Sequence, residues 1–336
     1  MEENIRQLIK LSTCQKSRVN EGEGKEMNIQ NILLVSPMYR ELQALIENVA
    51  PNKTFRFMPE EELSQEDIIW ADALVSFNLK AEYDYSSVKW VHSLGAGVDR
   101  FLHKKDWNQE ILLTRTICSF GQRIAEYCLS YILKDLQLHD RFKEQQQQKN
   151  WAQSTPKLIG EQKVIVYGTG EIGQMIAKVF SGLGVDVYGV SLSGKKKEGF
   201  NGVMTLDSHF SILKEMNYVI NTLPLTERTE KLFDSAVFNQ LSNAGFMNVG
   251  RGASVDEAAL IKALNDNTVS FAVLDVFEHE PLPISNSLWN HPRVQITPHI
   301  SAVTTPSEGA ACFLDTLKNI EENKPLKNIV DTQKGY

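Results

Sequence analysis

Short apolar runs alternate with amphipathic stretches along most of the chain, and this alternation predicts a series of strands and helices. Between the strand-like runs lie helical patterns, such as Glu41–Val49 and Ser64–Trp70. Buried strands separated by helices are typical of a parallel sheet covered on both faces. The five predicted strands of this first series are Ile32–Ser36, Thr54–Met58, Ala73–Phe77, Trp90–Leu94 and Leu112–Thr116.

A second alternating series begins at Lys163. Helical patterns such as Gly173–Leu183 and Asp256–Asn265 separate most of its apolar runs. This arrangement predicts a second doubly wound parallel sheet, so the expected fold class is α/β with two such sheets. The strand-like runs are KVIVYG, VDVYGV, NGVMTL, YVINTL, GFMNVG, FAVLDVF and VQITPH.

Two helical patterns connect these series. One long helix is predicted from about Arg123 to Lys149; its apolar half, IAEYCLSYIL, is expected to pack between domains, and its Gln-rich end to be solvated. A final helix, about Thr304–Glu322, is expected to return to the first sheet. The polar stretch 1–27 is predicted to be a disordered extension.

Composition narrows the class of protein. The chain has 336 residues, 42% of them hydrophobic and 23% charged, which fits a soluble protein of about two domains. A net charge of -7 argues against nucleic-acid binding. No apolar run approaches the ~20 residues that span a bilayer, and the start MEENIRQLIK does not resemble a signal peptide. The scattered cysteines, which predict reduced cytoplasmic thiols and no metal site, are Cys14, Cys118, Cys128 and Cys312.

A glycine-rich turn follows the strand KVIVY and opens a helix: Gly168-Thr-Gly170-Glu-Ile-Gly173. In this context GxGxxG predicts a dinucleotide site. Gly168 permits a tight turn, Gly170 lets the backbone approach a pyrophosphate, and Gly173 allows close packing of helix on strand. Glu171 and Ile172 then begin a helix whose free N–H groups face the phosphates.

The residues after the next strand, VDVYGV, bear on which cofactor binds. An NAD site usually has an acidic residue at this tip, but Ser191 stands there and Asp186 lies at the other end of the strand. Ser193 and Lys195–Lys197 follow, where they could accommodate a 2′-phosphate. NADP is therefore the preferred prediction; NAD remains the alternative if these lysines only form a solvated loop.

Three further residues supply the chemistry of carbonyl reduction. Arg251 in NVGRG can hold a substrate carboxylate in a bidentate fork. His299 in TPHIS can give a proton to the carbonyl oxygen, and Glu280 in DVFEHEP can keep that histidine charged and oriented. Glu278 is the nearest rival for the role of Glu280, which the spacing to Asp275 favours.

These motifs together resemble the D-isomer-specific 2-hydroxyacid dehydrogenases. VHSLGAGVD, GTGEIG, NTLPLTERTE, NVGRGASVDEAAL, LDVFEHEPLP and TPHIS occur in that family's order over roughly residues 30–325. The resemblance implies exchange between a 2-oxo acid and an (R)-2-hydroxy acid, and usually a homodimer. It also implies a Rossmann-type dinucleotide-binding domain at residues 123–300, inserted in a flavodoxin-like substrate domain made of residues 28–122 and 301–336.

The resemblance also assigns roles to single residues. Arg251 corresponds to the substrate clamp, and His299 with Glu280 to the acid/base pair. Asp275 resembles the contact to the nicotinamide carboxamide. Further positions expected to touch the cofactor are Leu223, Pro224, Val249 and Gly250. Further positions expected to touch the substrate are Leu94, Ala96 and Gly97, with Asn78 near the pocket.

Two other functions stay open from sequence. A non-catalytic dinucleotide-sensing protein of the same fold could keep all three residues. A related dehydrogenase acting on formate or phosphite would keep the fold and change the substrate, although such enzymes are expected to prefer NAD, which Ser191 disfavours. The partners expected are thus a small 2-oxo or 2-hydroxy acid and a second copy of the chain, with neither nucleic acid nor membrane.

Overall fold

A computed structural model describes residues 27–77 and 79–336. In the first sheet every neighbouring pair of strands is parallel, and the order is 2-1-3-4-5 in strand sequence. This is the flavodoxin-like doubly wound order. The strands are β1 (Asn31–Val35), β2 (Thr54–Met58), β3 (Ala73–Ser76), β4 (Trp90–Ser93) and β5 (Leu112–Arg115).

The second sheet has seven parallel strands in the order 12-11-10-9-6-7-8. Counted from its own first strand this is the Rossmann order with one additional strand at an edge. The predicted fold class, two doubly wound parallel sheets, is confirmed. The strands are β6 (Lys163–Tyr167), β7 (Asp186–Val190), β8 (Gly202–Met204), β9 (Tyr218–Asn221), β10 (Ala244–Asn248), β11 (Val269–Leu274) and β12 (Val294–Ile296).

Helices cover both sheets, and two of them begin at capping boxes that the sequence carries. Ser64 and Asp67 cap one helix reciprocally, and Thr305 and Glu308 cap the last one, so each satisfies two backbone donors. The helices are α1 (Tyr39–Ile46), α2 (Gln65–Trp70), α3 (Asp99–Leu102), α4 (Phe120–Leu136), α5 (His139–Gln147), α6 (Glu171–Ser181), α7 (Phe210–Leu213), α8 (Ser235–Phe238), α9 (Glu257–Asn265) and α10 (Pro306–Glu321).

The prediction of one helix from Arg123 to Lys149 is wrong. The helix begins earlier, at Phe120, and is interrupted at Leu138, which takes a left-handed conformation with φ 57°. The apolar face ends at Leu136, and α5 beyond the break buries no residue. The apolar residues of α4 also do not pack between domains: they join a core with α6 and the seven-stranded sheet. Neither glycine nor proline marks the break, so the local sequence carries no signal for it.

The chain returns to the first sheet at its end. Phe313 of α10 stacks on Trp90 of β4 with ring centroids 5.5 Å apart, and Leu317 joins the same core. The boundaries predicted at residues 122 and 300 stay predictions, and the extension predicted at 1–27 lies, except for Met27, outside the described residues. Among the described helices, none combines the length and apolar character that crossing a bilayer requires.

Candidate active site

The candidate catalytic residues all follow the carboxyl ends of strands. Arg251 follows β10, Asp275 follows β11, and His299 follows β12, while Gly97 and Arg115 stand at the same end of the five-stranded sheet. In doubly wound sheets this end is where ligands bind. The topology therefore brings together residues that are far apart in sequence.

His299 and Glu280 form a hydrogen-bonded pair. Nδ1 of the imidazole lies 2.8 Å from Oε2 of the carboxylate, and the other oxygen, Oε1, accepts a bond from the backbone N–H of Phe277 at 3.0 Å. Burial alone would raise the pKa of Glu280, but the bonds from His299 and Phe277 outweigh it and hold the pKa below its ordinary value. Glu280 is thus an anion that orients the imidazole, and half of the His299 side chain is exposed to the cleft.

Asp275 holds the loop that carries His299. Its backbone carbonyl accepts the N–H of His299 at 2.8 Å, which supports the left-handed backbone of that residue, φ 54°. Its carboxylate accepts bonds from the Thr297 hydroxyl at 2.6 Å and from the N–H groups of Ile300 and Ser301 at 2.8 and 2.9 Å. Asp275 is fully buried. Its predicted contact with the nicotinamide carboxamide stays a prediction, since the carboxylate faces the loop.

Arg251 is fixed at two of its nitrogens. Nε donates to Oδ1 of Asp99 at 2.6 Å, and Nη1 donates to the carbonyl of Gly250 at 2.7 Å. The remaining nitrogen, Nη2, lies against Gly97: a Cβ placed on that glycine would be 1.3 Å from it. The guanidinium therefore lies directly on the loop that is predicted to bind the substrate carboxylate. Asp99 was not predicted as a site residue, although it ends the motif VHSLGAGVD.

A buried polar network holds the backbone of Arg251. This network was not predicted from the sequence. Asn221 donates to Asn248 Oδ1 at 2.9 Å and to Ser254 Oγ at 2.7 Å. Asn248 Nδ2 and Ser254 Oγ both donate to the backbone carbonyl of Arg251, at 3.0 and 2.6 Å. Asn221 Oδ1 accepts the N–H of Leu223 at 3.0 Å. The sequence feature that could have indicated this network is that two buried strands, β9 and β10, each end in an asparagine.

The loop Leu94–Gly97 offers backbone at the cleft, but not all of its predicted contacts fit. Leu94 is fully buried in the first core, and its N–H and C=O are bonded to Ser76 and Thr304. The geometry therefore gives Leu94 a supporting role instead of a substrate contact. Arg115 donates to the carbonyl of Ala96 at 3.3 Å and adds a second guanidinium beside the loop. Asn78 lies outside the described residues.

The glycine-rich turn has the geometry that a pyrophosphate requires. Gly168 has φ 100°, which favours glycine, and a Cβ on Gly173 would lie 1.9 Å from the carbonyl oxygen of Gly168. Around Gly170, by contrast, no atom other than those of its chain neighbours lies within 4 Å of an added Cβ, and no side chain caps the helix that begins at Glu171. Open space and uncapped N–H groups at Glu171 and Ile172 are what phosphate oxygens need, so these residues fit a dinucleotide.

The tip of β7 presents hydroxyls and cations. Ser191 Oγ accepts the N–H of Gly194 at 3.2 Å, and Ser193 Oγ accepts the N–H of Lys195 at 3.3 Å. Ser193 and Lys195 are exposed. Asp186 lies at the opposite end of the strand, where Asn201 donates to it at 2.8 Å.

The remaining predicted cofactor positions lie side by side. The carbonyl oxygen of Leu223 would be 2.7 Å from a Cβ on Gly250, so the turns after β9 and β10 are in close contact. The carbonyl of Pro224 accepts the hydroxyl of Thr229 at 2.7 Å, which fixes the first turn, and the N–H of Val249 donates to Asn221 O at 3.1 Å.

Comparisons with known proteins identify the family of the chain. Residues 129–301 match the family model described as D-isomer specific 2-hydroxyacid dehydrogenase, NAD binding domain. A glyoxylate/hydroxypyruvate reductase A from Enterobacter sp. (strain 638) is 33% identical over 256 residues, which cover 74% of this chain and 82% of that protein.

Solved structures are similar over most of the chain. A D-isomer specific 2-hydroxyacid dehydrogenase from Xanthobacter autotrophicus Py2, in complex with NADPH and MES, is 28% identical with a TM-score of 0.80; the match covers 92% of this chain and 100% of that one. An NADPH-dependent glyoxylate/hydroxypyruvate reductase from Sinorhizobium meliloti, in complex with NADP and sulfate, is 26% identical with a TM-score of 0.78 and covers 91% and 100%.

Proposed function

Because the chain belongs to the D-isomer-specific 2-hydroxyacid dehydrogenase family, we propose that this NAD(P)-dependent dehydrogenase reduces a small 2-oxo acid to its (R)-2-hydroxy acid, with Arg251, Glu280 and His299 as its catalytic residues. The observation that carries the proposal is the His299–Glu280 pair, with its 2.8 Å contact, at the same sheet end as Arg251 and the glycine-rich turn. An acid/base, an anion clamp and a dinucleotide turn together suit carbonyl reduction.

The three residues have different tasks in this proposal. Arg251 binds the substrate carboxylate and polarises the carbonyl, with the backbone N–H groups of Ala96 and Gly97 beside it. His299, protonated, gives its proton to the carbonyl oxygen, and Glu280 stabilises the imidazolium. When bound, the reduced nicotinamide supplies the hydride.

We propose glyoxylate and hydroxypyruvate as the substrates to test first. The Enterobacter and Sinorhizobium meliloti proteins are named as reductases of these two compounds. Both are short 2-oxo acids, so they present the carboxylate and carbonyl that Arg251 and His299 would engage. Longer 2-oxo acids form the comparison series.

NADPH is the proposed cofactor. A 2′-phosphate needs hydrogen-bond donors and positive charge, and Ser191, Ser193 and Lys195 offer both at the tip of β7. A carboxylate at this tip would repel the phosphate, and the acidic residue of this strand, Asp186, lies at its other end. Two similar structures contain NADPH or NADP.

The test is a panel of 2-oxo acids assayed with NADPH and with NADH in parallel. We expect rapid oxidation of NADPH with glyoxylate or hydroxypyruvate, and loss of most turnover in His299→Gln and Arg251→Gln with cofactor binding retained. His291→Gln, at the amino end of β12, is the matched histidine control. Absence of turnover with every acid, together with normal NADPH binding, would favour the sensor alternative.

The cofactor choice has its own variant. Ser191→Asp should raise the KM for NADPH by at least tenfold and change the KM for NADH far less, because the new carboxylate repels a phosphate and can bind ribose hydroxyls. Asp186→Asn, at the far end of the same strand, should leave both values unchanged. Equal effects of Ser191→Asp on the two cofactors would refute the assignment.

We also propose that the protein is a homodimer. Helix α5 buries no residue, and the segment after it exposes 96% of Trp151 and 67% of Leu158. Two large apolar side chains exposed on one short segment indicate a protein partner. Trp151→Glu should convert the dimer to a monomer in light scattering, whereas Ile284→Glu, at a side chain that is equally exposed, should not.

A cytoplasmic location completes the proposal. Cys118, Cys128 and Cys312 are free thiols in the structure. Free thiols fit a reducing compartment. Microscopy of a fluorescently tagged chain would test the location.

A further inference from the structure

We propose that Asp99 is a positioning residue that holds the guanidinium of Arg251 in its working orientation. The proposal rests on the proposed function, because it concerns the residue assigned there to the substrate carboxylate. Its starting point is the 2.6 Å bond from Arg251 Nε to Asp99 Oδ1, which joins residues 152 positions apart in the chain.

The bond crosses between the two sheets. Asp99 begins the short helix α3 beyond β4 of the five-stranded sheet, whereas Arg251 follows β10 of the seven-stranded sheet. Both side chains are mostly buried, with 17% and 22% of their surfaces exposed. A buried ion pair between elements that lie far apart in the chain fixes the relative position of its two partners.

Two contacts determine the plane of the guanidinium. Asp99 accepts a hydrogen bond from Nε, and the carbonyl of Gly250 accepts one from Nη1. Nη2 is left lying on Gly97, the residue whose backbone is predicted to bind the substrate carboxylate. Because Asp99 bonds Nε alone, it orients the group while leaving Nη2 for an anionic ligand.

The negative charge of Asp99 beside two arginines is a second observation that supports the proposal. Burial would raise the pKa of the Asp99 carboxyl, but Arg251 outweighs it and lowers that pKa, so Asp99 is an anion; Arg100 contributes in the same direction. Arg115 is also near: burial lowers its pKa, Glu171 raises it, and Arg251 lowers it again. Without Asp99, Arg251 would lose the carboxylate that bonds its Nε, while the positive charge of Arg115 would remain nearby.

The experiment compares Asp99→Asn with Glu230→Gln in the full-length enzyme. Glu230 bonds Lys104 at 2.9 Å, so it too links the segment after β4 to the other sheet, but it does not touch Arg251. Both substitutions replace a carboxylate by an amide. For each variant kcat and KM are measured with glyoxylate and saturating NADPH, alongside the dissociation constant of NADPH and the thermal unfolding midpoint.

We expect Asp99→Asn to lower kcat by about 10- to 100-fold, since a small misplacement of an orienting group costs that much. KM should change less than threefold, because Arg251 keeps its positive charge and still attracts an anionic substrate. NADPH affinity and the unfolding midpoint should match those of Glu230→Gln, which should keep wild-type kcat. Asp99→Glu, which keeps the charge, should recover part of the loss.

Two results would overturn the proposal: an unchanged kcat, or a kcat loss shared by Glu230→Gln. An unchanged kcat with a lower KM would mean that Asp99 competes with the substrate for Arg251. Failure of the proposed function looks different, because wild type and Glu230→Gln would then also be inactive with every 2-oxo acid. If the unfolding midpoint falls in both Asp99→Asn and Glu230→Gln, kcat of Asp99→Ala is measured at a lower temperature. The proposal requires that this kcat is still reduced.

Discussion

The Nδ1 atom of His299 lies 2.8 Å from Oε2 of Glu280, in a contact that joins the loops after β12 and β11. The second carboxylate oxygen is occupied by the N–H of Phe277, so Glu280 cannot rotate away without losing a bond. An imidazole held at Nδ1 by a fixed anion has Nε2 available for proton exchange. This is the arrangement that a proton donor to a carbonyl oxygen needs.

The first prediction concerns Glu280→Gln. Removal of the anion leaves the imidazole without the partner that orients it and balances its charge, so reduction and the reverse oxidation should both slow, with a kcat loss of about 10²-fold. Steady-state kinetics of both directions, together with the dissociation constant of NADPH, would measure the loss.

Glu278→Gln is the control for that experiment. Glu278 is the rival position two residues away and is exposed, whereas the bond to His299 belongs to Glu280. We expect wild-type rates in both directions in Glu278→Gln. The reverse pattern, with the kcat loss in Glu278→Gln only, would exchange the two roles.

The contact between His299 and Glu280 was predictable because both residues lie in local motifs. Strands were equally predictable: Thr54–Met58 has the bounds that the apolar run indicates, and the other predicted strands of the first sheet differ by only one residue at one or both ends. Buried parallel strands are apolar on both faces, so they form continuous apolar runs that can be recognised in the sequence without knowledge of the fold. Parallel strands also place every carboxyl-end motif at one edge, which is why separate motifs could be joined into one site.

A second prediction uses Gly97→Ala. A Cβ at this position would lie 1.3 Å from Nη2 and 2.6 Å from Cζ of Arg251, so the guanidinium must move. We expect kcat/KM for glyoxylate to fall by about 10²-fold, with unchanged NADPH affinity. Steady-state kinetics and NADPH fluorescence titration would measure the two quantities.

Gly95→Ala is the matched control in the same loop. The nearest atom to a Cβ there is a ring carbon of Phe77 at 3.6 Å, which is ordinary contact. This variant should retain at least half of the wild-type kcat/KM. If the two alanine variants behave alike, loop flexibility and not the position of Arg251 controls activity.

The partners of Arg251 could not be predicted from sequence in this way. Asp99 lies 152 residues from Arg251, and no periodic pattern or local spacing connects them. Asn221 and Asn248 end buried strands, but only the order of β9 and β10 in the sheet makes them neighbours. The same limit explains Leu94: its motif placed it in the substrate loop, whereas packing placed its side chain in the core.

A third prediction separates two roles for Asp275. Its carboxylate accepts three bonds from the loop 297–301, and an asparagine would present N–H groups to at least one donor. Asp275→Asn should therefore lose about 1–3 kcal/mol of unfolding free energy and lower kcat, because His299 loses its support. NADPH affinity should stay within threefold; a loss above tenfold would instead indicate a direct contact with the nicotinamide.

Asp72→Asn provides the comparison. This carboxylate also accepts two backbone N–H groups, from Gln30 and Asn31 at 2.9 Å each, and it bonds Lys89. It lies at the amino end of the first sheet, away from the site. Denaturation by urea should show a similar loss of stability in both variants, whereas kcat should fall only in Asp275→Asn.

The last prediction concerns His92, which is fully buried at the end of β4 between the hydroxyls of Thr114 and Thr116, at 2.8 and 3.3 Å. Burial lowers its pKa to about 3, so it is neutral in the folded state. In the unfolded chain an ordinary histidine binds a proton below about pH 6.5. Between these values the unfolded state binds more protons, so unfolding free energy should fall with decreasing pH, by up to about 1.4 kcal/mol per unit.

His92→Gln tests this account because glutamine can keep hydrogen bonds to both threonines and cannot titrate. Urea denaturation between pH 4.5 and 6.5 avoids most carboxylate titration and should give a smaller slope of stability against pH in the variant than in wild type. His139→Gln, at an exposed histidine, should keep the wild-type slope. Equal slopes in wild type and His92→Gln would show that His92 does not control the acid sensitivity of the fold.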